Sequence, residues 1–241
     1  MTAQSVAEAI SSGLPNLKIL LIAMNGRESA EYVRETPVCI DSVKFHIDNK
    51  MISGEEFLKT CTHKGNFYYM AGICNETEAR YYHPDMAEYL LEELSPEFDL
   101  LIADCGNELD NGLAIGTMGV SEEILFIITQ QESVLGRYEK NKKLMDELNL
   151  KVSGFVVNQY SDQNPYGLSY IAERLEIEKE KLIKIEASGY SRQAEIDKKT
   201  LLEYGNEAYS LDITALANNI LRKNGFPEIE KKRKSRWKRF I

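Results

Sequence analysis

The residues best suited to chemistry lie at the end of a short apolar run. Residues 98–106 read FDLLIADCG, so four apolar residues lead into Asp104, which Cys105 and Gly106 follow. In a parallel sheet, ligands bind at the carboxyl ends of strands, and an acid there commonly holds Mg²⁺ directly or through a water molecule. The alternative is that Asp104 caps the helix that follows. The segment therefore predicts either a magnesium ligand or a helix cap at Asp104.

Strand-length apolar runs alternate with helical patterns along the chain. The predicted strands are residues 17–24, 66–72, 98–104, 124–129, 152–158 and 182–186. The predicted helices are residues 2–12, 53–61, 85–94, 109–118, 133–148, 166–175, 192–200 and 213–221. Such alternation, with strands that are apolar on both faces, is typical of a parallel sheet covered by helices on both sides. The predicted fold class is therefore α/β, with a doubly wound, mostly parallel sheet.

Composition excludes several classes of protein. Of the 241 residues, 43% are hydrophobic and 28% are charged, ordinary values that exclude a disordered or fibrous chain. No apolar run approaches the roughly 20 residues of a membrane span, and no secretory signal is recognisable at the amino terminus. The four cysteines are scattered without a C-x-x-C pair, which favours reduced thiols over a disulfide frame or a zinc site. We therefore expect a cytoplasmic protein.

The net charge of −9 conceals a basic tail on an acidic body. The last eleven residues carry seven Lys or Arg and no acid, so the preceding 230 residues have a net charge of −16. A helix there would place bulky apolar residues, spaced i, i+3 and i+4, on one face, which suits the interface of an anionic membrane. The residues assigned to membrane binding are Arg236, Trp237, Lys238, Arg239, Phe240 and Ile241. A nucleic-acid arm or a solvated tail without a fixed partner are the alternatives.

The succession of segments resembles the ParA/MinD family of deviant-Walker P-loop ATPases, including its CpaE-like pilus-assembly branch. The similar segments are residues 1–12 (the helix after the phosphate loop), 18–22 (the second strand), 98–106 (the Walker B strand), 127–129 (the next strand), 155–158 (the strand ending in an adenine-contacting asparagine), and 187–199 with 213–220 (the closing section). The resemblance covers most of residues 1–223. It implies a P-loop NTPase-like fold that binds ATP and Mg²⁺, with two protomers joined face to face by ATP.

The resemblance also implies which residues form the site. Four residues would bind the cofactor: Asp104, which would also hold Mg²⁺, Asn158, which would contact adenine, and Gly106 and Asn25. Two departures weaken this reading. The chain contains no G-x-x-x-x-G-K-[ST] loop, which in the family precedes the helix that here begins at Thr2 and so would lie upstream of Met1. A start codon assigned too late, or a true deletion, would explain its absence.

The second departure concerns hydrolysis. The family's strand-end pattern Asp-x-Asp is here Ala23-Met24-Asn25, so the acid that would orient or deprotonate the attacking water is absent. Because phosphoryl transfer depends on such groups for positioning and electrostatics, we expect weak ATP binding and weak or absent hydrolysis. The ATPase assignment thus rests on resemblance alone.

The missing loop also predicts an incomplete sheet. In the family the phosphate-loop strand lies between the Walker B strand and the next one, here residues 100–104 and 124–129. These two strands would either pair directly or leave a solvated gap. A competing alignment makes residues 18–24 the first, central strand and residues 25–29 a degenerate phosphate loop.

The sequence thus predicts a nucleotide-binding domain at residues 1–223 that lacks its amino-terminal part, followed by a basic amphipathic tail at residues 224–241. The function that it favours is nucleotide-dependent intracellular positioning or pilus assembly, as a homodimer at the inner face of the plasma membrane. The alternative is a catalytically inactive scaffold that keeps the fold as an interaction module.

Overall fold

A computed structural model describes residues 1–27 and 38–230. The seven strands in this part of the chain are β1 (Ile19–Ala23), β2 (His63–Lys64), β3 (Phe67–Met70), β4 (Leu100–Asp104), β5 (Ile124–Ile128), β6 (Val152–Tyr160) and β7 (Leu182–Glu186). The helices are α1 (Thr2–Gly13), α2 (Ile40–Asp48), α3 (Gly54–Thr60), α4 (Pro84–Leu94), α5 (Gly112–Val120), α6 (Glu132–Glu147), α7 (Leu168–Leu175), α8 (Ser191–Asp197) and α9 (Glu207–Lys223). The α/β fold class is confirmed.

The strands form two sheets. The first has the order β2-β3-β1-β4 and the second the order β5-β6-β7. All neighbours pair in parallel except β2 and β3, which are antiparallel. In the described part of the chain no strand lies between β4 and β5, and these two do not pair with each other. The predicted sheet is therefore interrupted where the resemblance places the phosphate-loop strand.

This order decides between the alternatives left by the sequence. Direct pairing of residues 100–104 with residues 124–129 is wrong. The competing alignment is also wrong, because β1 lies between β3 and β4 and not in the interrupted position. Hydrogen bonds hold parallel strands together, and a central strand forms them on both sides. Among the described residues, β4 pairs only with β1 and β5 only with β6, so each forms hydrogen bonds on one side.

Burial of the strands agrees with the interruption. Four of the five β1 residues are buried, as expected for a strand with neighbours on both sides. Every residue of β4 is only partly buried, and Ile127 of β5 is 44% exposed. A large aliphatic side chain in the middle of a doubly wound sheet is normally covered by helices. β4 and β5, each with one described neighbour, are thus less buried than β1, which has two.

Helices connect the two sheets on both faces. On one face α1 and α9 pack together in a core that reaches Ile19 of β1, Val156 of β6 and Ile185 of β7. On the other face α4 packs against α5. There the backbone of α4 approaches so closely that a Cβ on Gly116 would lie 2.0 Å from the carbonyl oxygen of Pro84. The molecule therefore stays one body although its sheet is interrupted.

Most elements lie where the sequence predicts them. Three differ: α2 and the short strand β2 were not predicted, and α9 begins six residues before the predicted helix at residues 213–221. The side chain of Asn206 caps α9 by accepting a hydrogen bond from the Tyr209 backbone N–H at 3.2 Å. None of the helices in the described part of the chain is both long and apolar enough to span a bilayer.

Candidate functional site

The carboxyl ends of β1 and β4 bring three of the predicted site residues together. Ala23 is in register with Asp104, and the Met24 N–H donates to the Asp104 carbonyl oxygen at 2.8 Å. Asn25 follows β1 directly, and Gly106 follows β4. The backbone at Gly106 has φ +70° and lies against the side chain of Asn25. This clustering follows from parallel pairing, which sends both strand ends to one edge.

The Asp104 carboxylate is held in a tight turn. Its Oδ1 accepts a hydrogen bond from the Gly106 N–H at 3.0 Å. The next helix, α5, is capped by Asn111, whose Oδ1 accepts from the Ala114 N–H at 2.9 Å. The interpretation of Asp104 as a helix cap is therefore wrong. Since a carboxylate has two oxygens and several acceptor positions, the turn leaves acceptor capacity for a cation.

The loops after β1 and β4 are tied to each other. The Asn25 Oδ1 accepts from the Arg27 N–H at 3.0 Å, and the Asn111 side chain donates to the Asn25 carbonyl oxygen at 3.4 Å. The Arg27 guanidinium pairs with Glu108 at 2.5 Å. Asn25 thus stabilises its own turn. An amide in this position cannot accept a proton from water as a carboxylate could.

Cys105 lies between Asp104 and Gly106, and its thiol is not activated. Burial, together with the neighbouring Asp104 carboxylate, raises its pKa to about 12. The thiol therefore stays protonated at neutral pH. In this turn the chemistry available is coordination and hydrogen bonding by oxygen and nitrogen atoms.

The fourth predicted residue, Asn158, lies at an irregularity of β6. Val157 pairs with Lys184 and Tyr160 pairs with Glu186, so two residues of β6 stand opposite a single residue of β7. Gln159, within this bulge, has φ +54°, which is strained for a residue with a side chain. Bulges redirect side chains and occur often beside binding sites.

A cavity of about 110 Å³ opens at this bulge. It is lined by Met1, Thr2, Asn158, Gln159, Glu186, Ala187, Ser188, Ser191, Leu201 and Tyr209. Sites for ligands of drug size typically measure roughly 300–1,000 Å³. The cavity thus has room for a small polar or aromatic group but not for a complete nucleotide.

The walls of the cavity combine polar and apolar groups. The hydroxyl of buried Tyr209 donates to the Ser5 hydroxyl at 3.0 Å, which fixes α9 against the first turn of α1. The Glu186 N–H donates to Asp212 at 2.9 Å, and the Glu186 carboxylate pairs with Lys184 at 3.0 Å. The lining thus offers side-chain amides, hydroxyls and a carboxylate as polar groups, and Leu201 as an apolar contact.

Several of these residues are absent from the sequence-based prediction. Asn111 follows Asp110 and precedes Gly112, a local pattern typical of a helix start. Glu186 ends the predicted strand at residues 182–186, and Ser188 follows it closely. Because ligands bind at the carboxyl ends of parallel strands, the reasoning used for Asp104 predicts these two residues as well. Gln159 gives no sequence signal, because its bulge depends on the register of β7. The six tail residues assigned to membrane binding, and residues 28 and 29 of the competing phosphate loop, lie outside the described residues.

Solved structures of similar fold cover nearly the whole chain. A ParA family ATPase from Chlorobium tepidum matches with a TM-score of 0.77 and 14% identity, over 90% of this chain and 91% of that one. The septum site-determining protein MinD of Pyrococcus horikoshii, complexed with Mg-ADP, matches with a TM-score of 0.66 and 16% identity, over 92% of each chain. An ATP complex of McdA from Cyanothece matches with a TM-score of 0.66 and 15% identity, over 95% and 94%.

The chain has the fold of the ParA and MinD ATPases. Sequence comparison adds nothing to this, because no protein-family model and no curated protein matches the chain. At identities below one fifth, the likeness defines the arrangement of elements and not the chemistry. Asp104 is the last residue of β4, and Asn158 lies near the end of β6. In a parallel sheet, ligands bind at the carboxyl ends of the strands, so both residues are at positions where a ligand could bind.

Proposed function

We propose that this chain is a ParA/MinD-like nucleotide-binding protein for intracellular positioning, with pilus assembly of the CpaE-like kind as its setting, and with weak or no ATP hydrolysis. The observation that carries the proposal is the cavity at the β6 bulge, which Asn158 lines. Asn158 lies near the carboxyl end of a parallel strand, where ligands bind in α/β folds. The three similar structures include complexes with Mg-ADP and with ATP. The adenine base is the part of a nucleotide that fits this cavity.

Magnesium would be held at Asp104. Carboxylate oxygens are preferred ligands of this hard cation, and the turn engages Asp104 through only one oxygen. When bound with a nucleotide, Mg²⁺ neutralises phosphate charge. Gly106 would lie beside the ion, with Asn25 packed where a side chain on Gly106 would stand.

The phosphate groups of ATP do not fit the described residues. A phosphate loop supplies a cradle of backbone N–H groups and a lysine, and the sequence contains no such motif. At the end of β1 stands Asn25, whose side chain is engaged with the Arg27 N–H, in place of the acid of the family's pattern. The residues present therefore support binding of the base and of a cation, but no hydrolytic step.

The tail and the charge of the body extend the proposal to a membrane surface. We propose that residues 231–241 attach the protein to an anionic bilayer from the cytoplasm, and that two protomers associate through the nucleotide edge. The tail carries seven basic side chains, and each contributes about 1 kcal/mol of attraction near anionic lipid. Because only the tail must approach the surface, this attraction outweighs the repulsion between the lipid and the acidic body. Nucleic acid is the less favoured partner.

The second candidate function is an inactive scaffold that retains the fold for protein contacts. The interrupted sheet favours it, because the described residues place no strand where the family has the one that carries the phosphate loop. A scaffold requires no ligand in the β6 cavity, whereas the first proposal does. Ligand binding therefore separates the two candidates.

The experiment compares adenosine, AMP, ADP and ATP, each with Mg²⁺, by ligand-observed NMR. If the base carries most of the binding, the four affinities will lie within about tenfold of one another, since phosphates gain little without a cradle. Asn158→Ala should abolish binding, whereas the control Asn141→Ala on α6 should not change it. Absence of binding by all four ligands would favour the scaffold.

A further inference from the structure

A second cluster of potential ligands lies at the start of α2, away from the β6 cavity. Cys39, Asp41 and Cys74 each offer one ligand atom, and these three atoms lie within 4.8 Å of one another. Cys39 is the residue before α2, Asp41 lies in its first turn, and Cys74 follows β3. Thiolates and a carboxylate at such distances are the ligand types of zinc.

Backbone pairing holds the two segments together. Cys39 forms a parallel bridge with Ala71, the Ala71 N–H donates to the Val38 carbonyl at 2.8 Å, and the Ile40 N–H donates to the Gly72 carbonyl at 3.2 Å. Ile40, next to Cys39, and Ile73, next to Cys74, are each no more than 1% exposed, so buried side chains anchor the backbone beside both cysteines. The cysteines therefore face each other because the fold fixes their backbones, although 34 residues separate them in the sequence.

Asp41 is oriented by groups outside the cluster. Its Oδ2 accepts from the Cys74 and Asn75 N–H groups at 2.6 and 3.0 Å, and its Oδ1 accepts from the hydroxyl of buried Tyr82 at 2.6 Å. Metal-binding carboxylates are commonly held by such hydrogen bonds, which fix their orientation before the metal arrives.

We propose that Cys39, Asp41 and Cys74 form a zinc site that clamps the start of α2 to the loop after β3. Ligands 2.3 Å from a tetrahedral zinc ion lie roughly 3.7 Å apart. The three ligand atoms, all within 4.8 Å of one another, are thus close to the separation that a shared ion requires. Binding releases the two thiol protons, and a water molecule completes the coordination. Cys74 is exposed and Cys39 half-buried, which leaves a path for the ion.

This site does not depend on the proposed nucleotide function. It also reverses the sequence-based expectation, which favoured reduced thiols over zinc because the cysteine spacing shows no C-x-x-C pair. Spacing arguments detect ligands that neighbour each other along the chain. Here the parallel pairing beside β3 supplies the proximity instead.

The test uses the full chain, freed of any histidine tag and kept reduced, titrated with Co²⁺ as a spectroscopic substitute for zinc. We expect one equivalent to bind with a thiolate-to-cobalt charge-transfer band, which Zn²⁺ then removes. Cys39→Ala and Cys74→Ala should each lose at least half of the band, and the double variant all of it. Asp41→Asn should weaken binding by about tenfold or more. The matched control Cys61→Ala, at a buried cysteine elsewhere, should keep the full band.

Three results would overturn the proposal. The first is a wild-type titration without a charge-transfer band, and the second is a band that survives in the double variant. The third is a thiol titration of the unfolded, metal-free protein that finds two thiols instead of the four in the sequence, with Cys39 and Cys74 joined in a disulfide. Circular dichroism of each variant establishes that it is folded, so that loss of the band reports on ligation.

Discussion

Asn25 and Gly106 lie against each other at the ends of β1 and β4, so closely that a Cβ on Gly106 would be 2.8 Å from the Cβ of Asn25. This contact fixes the geometry of the turn that holds Asp104. It depends on glycine for two reasons, the missing side chain and the positive φ of +70°.

Gly106→Ala should therefore lower the free energy of unfolding by more than the same substitution at a glycine that has a positive φ but no close neighbour. The control is Gly205→Ala, where φ is +66° and no heavy atom lies within 4 Å of the added Cβ. We expect a loss of about 1 kcal/mol for the control, from backbone strain, and about 1–3 kcal/mol more at Gly106, from overpacking. Urea unfolding measures both. Equal losses would show that the Asn25 contact is not rigid.

The half-buried Glu8 of α1 should make stability depend on pH. Burial raises the pKa of its carboxyl above the ordinary value of 4.5, and the Glu203 carboxylate adds to this, while Thr200 and Lys64 oppose it. The folded state therefore holds the proton more tightly than the unfolded state, and stability falls as pH rises from about 4.5 through the folded pKa.

Glu8→Gln should remove this penalty. The variant should be more stable than the wild type at pH 7 and equally stable well below pH 4.5. Thermal unfolding from pH 4 to 8 tests this, with Glu122→Gln as the control at an exposed carboxylate. A Glu8→Gln variant whose stability changes with pH as steeply as the wild type would exclude Glu8 as the source.

Hydrogen exchange tests the interruption of the sheet. In β4, one alternate set of amides pairs with β1 and the other faces the position that no described strand occupies. The unpaired set, and its counterpart in β5, should exchange faster than the amides of β1 by roughly an order of magnitude or more. NMR exchange resolves individual amides. Uniform protection along both strands would mean that another segment pairs there.

Membrane binding should depend on the tail. Trp237→Glu should reduce cosedimentation with anionic liposomes, although the tail keeps six of its seven units of net charge. Phe45→Glu is the control, because Phe45 is 67% exposed on α2 and the charge change is the same. Binding should weaken as salt rises and be absent with neutral lipid. Unchanged binding of Trp237→Glu, or complete competition by duplex DNA, would favour an electrostatic arm for nucleic acid.

Comparison with the sequence-based predictions shows which features are local. The Asp104, Gly106 and Asn25 cluster was predictable, since strand ends in a parallel sheet share an edge. Helix α2 was missed although Ile40, Val43 and Ile47 follow helical spacing, because the residues before it give no clear start signal. The β6 bulge and the Cys39–Cys74 pair depend on register between distant segments, which no spacing along the chain encodes.

Titration of a fluorescent ATP analogue with Mg²⁺ tests the central claim, that this fold binds adenine nucleotide without a phosphate cradle. We predict measurable but weak binding, well above micromolar Kd, that Asn158→Ala removes and Asp104→Asn weakens through loss of the cation. Binding at micromolar Kd or tighter would contradict the account, because it would require phosphate ligands that the described residues do not provide.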